Sequence, residues 1–354
     1  MIIIIIFEKM KYKLYTSSKK AWQGMIEEIK KAQKSIFIEM YIFLNDTSDR
    51  YDFFGALKER ADNGVQVIIV TDYKGSFDLK KSAIEDLKKH GIEVLFFSHW
   101  LRRTHRKITI IDNKITFIGG VNIKRNSSDW LDLQVKLKNK LLIKNILRSF
   151  AYTYQMSGGK NKKILQTRER LIFKTIKTQF LEHWPNRNIY LLKKYYQDKL
   201  LSAQRKIVIV TPYFFPPRWL MALLDVAVKK RVRIEIFILR DTDIKFLNRT
   251  NRIYVNELSN LKINFYAQNK MNHAKVLIID DQEALIGSQN LDIVSFYINL
   301  ESGVSITNKN LIKELNKIIK TWKRGSIKFP KIKKKLSIWD RIILGIIKFF
   351  YSIL

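Results

Sequence analysis

The hydrophobic pattern of the chain alternates between two periods. From Ala21 to Lys31 apolar residues recur at helical spacing, and Ala32-Gln33-Lys34 then leads into the run Ser35-Ile36-Phe37-Ile38, which reads as a strand. A second helix over Ala56 to Ala61 closes on a strand from Val65 to Val70, and Glu93 to Phe97 supplies a third strand. The order then returns about 170 residues later, the mark of an internal duplication. Ala203-Gln204-Arg205-Lys206 opens onto Ile207-Val208-Ile209, a helix from Leu223 to Val228 closes on Val232 to Phe237, and Lys262 to Tyr266 matches the third strand. Strands and helices in alternation with short connections predict α/β layers, built twice.

The duplication fixes the expected organisation. Residues 1–150 form a first half and 196–322 a second. Between them, 151–195 is a connecting segment without a clear partner, carrying the loop sequence Ser157-Gly158-Gly159-Lys160. Residues 323–354 form a tail. A length of 354 residues agrees with about two domains.

Each repeat delivers the same polar cluster. The first is His105-Arg106-Lys107, four apolar or small residues, Asp112, six residues, then Gly119-Gly120-Val121-Asn122. The second is His273-Ala274-Lys275, four residues, Asp280, six residues, then Gly287-Ser288-Gln289-Asn290. A lone His-x-Lys on a strand is ordinary surface decoration, but a second copy at identical internal spacing is not. His and Lys two apart project from one face of a strand. The apolar run carries the chain to a turn at the aspartate, and a hairpin folds the Gly-x-x-Asn end back beside the histidine. Glycine there permits close approach of backbone to an anionic ligand.

Two imidazoles, two ammoniums and two amides suit a tetrahedral phosphoryl group. Lysines and asparagines bind its non-bridging oxygens, one histidine attacks phosphorus, and the other protonates the leaving alcohol. Asp132 and Glu301, downstream of the two motifs, are candidates for orienting the imidazoles, the other reading being a surface charge or a salt bridge. Asp112 and Asp280 belong to the motif, but their place at the turn favours a structural hydrogen-bond role.

Composition narrows the classes. With 66 Lys+Arg against 32 Asp+Glu the net charge is +34, which favours anionic partners: nucleic acid, an anionic membrane surface or phosphorylated substrates. A general bias toward Lys, Ile and Asn accounts equally well for the bulk of it. A hydrophobic fraction of 46% excludes a disordered chain, and the absence of cysteine excludes disulfides, thiolate metal sites and a cysteine nucleophile. The apolar stretch Ile2 to Phe7 is too short to span a bilayer and reads as an edge strand or a fragment of an anchor.

The opposite end is basic, then apolar. Lys323 to Lys335 holds seven Lys/Arg in thirteen positions, and Ile338 to Leu354 carries only a narrow polar stripe on a helical projection. That pattern fits an interfacial anchor on anionic lipid, or a helix packed on the core or on a second subunit.

The doubled H-x-K-x4-D motif resembles that of the phospholipase D superfamily, over roughly Lys19 to Ile306. The sequence is most similar to bacterial cardiolipin synthases at Glu39-Met40-Tyr41-Ile42-Phe43, Gly119 to Asn122 with Trp130 and Asp132, Thr211-Pro212-Tyr213-Phe214, His273 to Asp292, and Ser295 to Glu301. The resemblance implies two similar phospholipase D-like domains, each a mixed β-sheet flanked by helices, packed with pseudo-two-fold symmetry around one shared active site.

It also implies a membrane-associated phosphatidyltransferase that needs no metal or cofactor and joins two phosphatidylglycerols into cardiolipin through a phosphohistidine. His105 would be the nucleophile and His273 the general acid/base, with the opposite assignment open. Lys107, Lys275, Asp112 and Asp280 complete the catalytic set. Gly119, Gly120, Asn122, Asp132, Ser288, Asn290 and Glu301 bind or orient. The expected partners are an anionic phospholipid and the membrane surface, reached through the tail, at the bacterial cell membrane. The alternative is a phosphodiesterase that hydrolyses phospholipid or nucleic acid. Two departures stand out: Val294 occupies a position where the family commonly has Arg, and the long N-terminal anchors of some synthases are missing from this sequence.

Overall fold

A computed structural model of the chain describes residues 10–169, 177–242, 245–258 and 261–329, together with Gly345. The apolar stretch 2–7 and the tail from 330 onward, Gly345 apart, lie outside the described residues, so the anchor readings made on them are not addressed by it.

The first half runs β1 (Lys11–Ser17), α1 (Ser18–Ile29), β2 (Ser35–Met40), α2 (Phe53–Asp62), β3 (Gln66–Asp72), α3 (Lys81–Lys89), β4 (Glu93–Phe97), β5 (Lys107–Ile111), β6 (Ile115–Gly119) and β7 (Leu131–Lys138). Its strands form one sheet in the order β1-β7-β6-β5-β2-β3-β4. β2, β3 and β4 are parallel, and the remainder pair antiparallel.

Next come α4 (Lys140–Met156), α5 (Lys162–Leu165), β8 (Thr178–Trp184), β9 (Ile189–Tyr190) and α6 (Leu191–Ser202). The second half continues with β10 (Lys206–Val210), β11 (Phe214–Phe215), α7 (Arg218–Lys229), β12 (Arg233–Leu239), α8 (Lys245–Leu258), β13 (Ile263–Gln268), β14 (Val276–Ile279), β15 (Glu283–Gly287), β16 (Leu291–Asp292), α9 (Ile293–Tyr297), β17 (Glu301–Ile306), α10 (Lys309–Arg324) and β18 (Ser326–Lys328). The second sheet is ordered β18-β13-β12-β10-β14-β15-β17-β8-β9, with β11 and β16 as a separate pair.

The two sheets repeat one topology. β10, β12 and β13 are parallel like β2, β3 and β4, and β14, β15 and β17 follow as β5, β6 and β7 do. β8 pairs with β17 as β1 pairs with β7, so a strand of the second sheet lies inside the 151–195 segment. The sheet also reaches into the tail sequence, where β18 pairs with β13. Ser157-Gly158-Gly159-Lys160 forms the turn after α4, with Gly158 at φ +93°.

The strands are apolar on both faces because both faces are covered. Along β2, Ile36 and Ile38 pack outward on Trp22 and Met25 of α1, while Phe37 points inward. Along β10, Ile207 and Ile209 pack outward with Leu200 and Leu224, while Val208 and Val210 point inward. The inward residues of both sheets share one core with Phe150 of α4 and Leu315 of α10. This shared core fuses the halves, with β6 against β15 and β17.

The β5–β6 and β14–β15 hairpins turn on pairs of left-handed residues, Asp112-Asn113 (φ 52° and 54°) and Asp280-Asp281 (φ 53° and 56°). Each turn is closed by one backbone bond, Lys114 N–H to Ile111 O at 2.9 Å and Gln282 N–H to Ile279 O at 3.0 Å. Positive φ at both central positions is the conformation that Asn and Asp tolerate best after Gly.

Candidate active site

The two motifs meet where the halves join. His105 sits just before β5 and His273 just before β14, and the backbone of each is bonded to the other half. His105 N–H donates to Leu300 O at 2.9 Å and Leu300 N–H to Arg103 O at 2.8 Å; His273 N–H donates to Leu131 O at 2.7 Å and Leu131 N–H to Met271 O at 2.9 Å. Thr104–Leu300 and Leu131–Asn272 are thus short parallel bridges.

These bridges place the residue after each leucine against the opposite histidine. His105 Nδ1 lies 2.9 Å from Glu301 Oε1 and 3.1 Å from its Oε2. His273 Nδ1 lies 2.9 Å from Asp132 Oδ2. All four groups are buried. A carboxylate on Nδ1 fixes the tautomer with hydrogen on Nδ1, leaving the Nε2 lone pair for chemistry.

The carboxylates are held in turn. Glu301 accepts from Ser288 Oγ and from Ser295 Oγ, the latter at 2.8 Å; Asp132 Oδ1 accepts from Leu133 N–H at 2.7 Å. Gly120 and Ser288 hold equivalent motif positions but do different work. A Cβ at Gly120 would sit 2.3 Å from Asp132 Oδ1. The glycine therefore admits the protein's own carboxylate, not the ligand approach expected of it. Gly119 likewise faces Leu133 O, at 2.2 Å from where its Cβ would be.

Lys107 and Lys275 are buried, and each Nζ donates to the carbonyl of its own motif histidine at 2.5 Å. Asn122 and Asn290 are buried with their Oδ1 atoms unpartnered. Tyr41 packs edge-on to His105 with ring centroids 4.7 Å apart, Trp130 lies 5.4 Å from His273, and Tyr213 lies 6.4 Å from it.

The charges interact across the halves. Burial, reinforced by the ammoniums of Lys107 and Lys275, pushes both histidines down to about 4 against the opposing pull of their carboxylates. Burial holds Lys107 well below the ordinary lysine value. Burial works to raise Glu301, but His105, Lys107 and Ser288 outweigh it and keep the carboxyl below its usual range. The result is two neutral imidazoles beside two buried lysines, a cluster that gains charge balance when an anion binds.

Asp112 and Asp280 are not part of this cluster. The Asp112 carboxylate accepts from the backbone N–H of Gln33, Lys34 and Ser35, and that of Asp280 from Gln204, Arg205 and Lys206. Each staples its hairpin turn to the start of the neighbouring strand, at the end of the sheet away from the histidine. The contacts of both carboxylates are thus with backbone N–H groups at the turn, and not with the histidines or lysines of the cluster.

Sequence reasoning missed a second buried network. Arg106, fully buried, donates from Nε to Glu301 O at 3.3 Å and from Nη1 to Ser149 Oγ at 2.9 Å. Its ion pairs reach Glu39 at 3.7 Å and Glu182 at 3.9 Å, and it lies over Trp184 at 5.3 Å. Glu39 accepts from Thr104 Oγ1 at 2.6 Å, beside His105. Ala274 holds the same motif position in the second half, so the network is one-sided and left no repeated signal. Val294, where Arg was expected, is exposed on α9. Nearby Asp292 caps α9 through Ser295 N–H at 2.7 Å, and burial pushes its carboxyl up to about 6.

The family described as cardiolipin synthase, PLD-like domain, matches residues 25–154 and again 196–322. A cardiolipin synthase of Clostridium perfringens (strain SM101 / Type A) is 30% identical over 325 residues, covering 85% of this chain and 68% of that protein. The minor cardiolipin synthase ClsB of Bacillus subtilis (strain 168) is 27% identical over 317 residues, covering 83% and 76%. Among solved structures, the phosphatidylserine synthase of Haemophilus influenzae Rd KW20 superposes with a TM-score of 0.74 at 14% identity, covering 99% of this chain and 94% of its own. The duplicated fold and the doubled motif converge with these matches: the chain belongs to the cardiolipin synthase, PLD-like domain family and is a phosphatidyltransferase of the phospholipase D superfamily.

Proposed function

We propose that the chain joins two phosphatidylglycerols into cardiolipin and releases glycerol, through a phosphohistidine and without a metal. The carrying observation is the crossed pair of buried histidine–carboxylate contacts, His105–Glu301 and His273–Asp132, which occupies both Nδ1 atoms and leaves the Nε2 of each imidazole for the reaction, one to attack phosphorus and the other to carry a proton. His105 Nε2 attacks the phosphorus of the first lipid, the phosphorus–oxygen bond to glycerol breaks, and His273 gives its proton to the departing oxygen. The hydroxyl of the second lipid then returns a proton to His273 and attacks phosphorus, breaking the phosphorus–nitrogen bond. The negative charge of the bound phosphodiester offsets the neighbouring lysine charge and raises the basicity of His273, so that its Nε2 takes up a proton from solvent as the lipid binds and holds it for the leaving oxygen. Lys107, Lys275, Asn122 and Asn290 bind the non-bridging oxygens, supplying the charge that a metal supplies elsewhere.

The substrate places the protein at the bacterial membrane. No described helix is long and apolar enough to cross a bilayer, and the charge of +34 supports attachment to anionic lipid, with the basic and apolar sequence after Lys323 as anchor.

The test is incubation with labelled phosphatidylglycerol vesicles in EDTA, with the products resolved. Cardiolipin and glycerol are expected. Phosphatidic acid alone would make water the acceptor, and cleavage of single-stranded DNA without lipid turnover would replace the lipid by nucleic acid.

A further inference from the structure

Beside the catalytic cluster lies a patch that the chemistry does not use. Two loops leave the C-terminal ends of the parallel strands β3 and β4, residues 73–80 and 98–106, and the second runs directly into His105. Trp100 is 75% exposed, Phe77 72%, Leu101 50% and Tyr73 49%. These are four of the most exposed large apolar side chains among the described residues, gathered on adjacent loops. Tyr73 and Phe77 rings are 6.4 Å apart, and Tyr73 and Trp100 line one cavity of about 210 Å³ with Arg103. At the same end of the second sheet, residues 240–242 and 269–272 expose no aromatic side chain.

The loops are built to hold these side chains out. Asp72, buried, accepts from Gly75 N–H at 2.8 Å on one loop and Thr104 N–H at 3.0 Å on the other. Tyr73 N–H donates to Phe97 O at 3.0 Å, and Lys74 Nζ to Trp100 O at 3.1 Å. Arg103 Nη1 donates to His99 O at 3.0 Å. Exposing large apolar groups on pinned backbone costs solubility and contributes nothing to the fold, so a partner surface accounts for them better than chance does.

We infer that the 73–80 and 98–103 loops are a membrane-docking surface that seats the mouth of the active site on an anionic bilayer. Trp and Tyr favour the bilayer interface, where an apolar ring and a polar edge are both accommodated. Lys74, Lys80, Arg102 and Arg103 surround them against the single acid Asp78, which matches anionic headgroups. The choice of a lipid surface over a second copy or a protein rests on the proposed reaction, since a lipid substrate must leave a bilayer to reach His105. The surface is separate from the tail sequence.

The experiment compares the full chain with the triple variant Phe77→Ala, Trp100→Ala, Leu101→Ala in sedimentation with phosphatidylglycerol vesicles. High salt screens the purely electrostatic attraction. The variant should partition at least about tenfold more weakly, on the order of what burying one such side chain supplies. In parallel, brominated acyl chains should quench the fluorescence that is lost in Trp100→Phe. Equal partitioning of variant and parent with an unquenched Trp100 overturns the inference. So does a triple variant that only converts a dimer to a monomer. Parent protein that docks through these residues but yields no lipid product sinks the proposed reaction and leaves the docking surface standing.

Discussion

His105 and Glu301 are 196 residues apart in sequence and 2.9 Å apart in space, each contributed by a different half of the molecule. His273 and Asp132 repeat the relationship in the opposite direction. Neither half therefore holds a complete histidine–carboxylate pair by itself, and the site exists only while the halves are docked.

The crossing has a direct consequence. Glu301→Gln should disturb His105, and Asp132→Asn should disturb His273, although Asp132 is much nearer to His105 in the chain. Nitrogen-15 spectra of the imidazoles should report each change at the opposite motif. Turnover should fall on the order of 10²–10⁴-fold in either variant, as when the orienting acid of a catalytic triad is made an amide. A shift at the motif of the same half would show that the pairs are not crossed.

The two histidines should fail differently. His105→Ala and His273→Ala each abolish turnover with the fold retained. If His105 is the nucleophile, quenching His273→Ala in alkaline detergent, in which the phosphorus–nitrogen bond survives, yields labelled protein from phosphorus-labelled lipid and His105→Ala yields none. Label on His105→Ala alone reverses the roles.

Asp112 and Asp280 should behave as structural residues. Removing either carboxylate strips acceptors from three backbone N–H groups. Asp112→Ala or Asp280→Ala should cost about 1–3 kcal/mol in urea unfolding while kcat at low temperature stays close to the parent value. A large loss of kcat at unchanged stability would return the aspartates to the chemistry.

Stability should depend on pH through the buried histidines. His105, His183 and His273 are each pushed by burial to about 4 in the folded chain, against an ordinary value of 6.5. Between those values the unfolded chain takes up protons that the folded chain refuses. Their contribution is therefore fully present above about pH 6.5 and is lost as pH falls toward 4, at most about 3 kcal/mol for each histidine. Glu301, held low, adds a further loss at lower pH. Urea unfolding across that window should show the decline, and a flat profile would contradict it.

The sequence by itself determined the duplication, the α/β alternation and the identity of nearly every polar group in the cluster. Those features are local: strand and turn periods, and a motif whose internal spacing survives in both copies. Which carboxylate serves which histidine was decided only in three dimensions, because the Thr104–Leu300 and Leu131–Asn272 bridges form between halves and leave no periodic trace. The reason for Gly120 was hidden likewise, since the carboxylate that needs the space arrives on β7. The Glu39–Arg106–Glu182 network draws on three separate strands or loops, and Ala274 breaks its repeat. The exposure of the aromatic side chains on the loops beside His105 was decided by packing alone. Local pattern is written in neighbouring residues, whereas partner choice and exposure depend on what the rest of the chain brings to the same place.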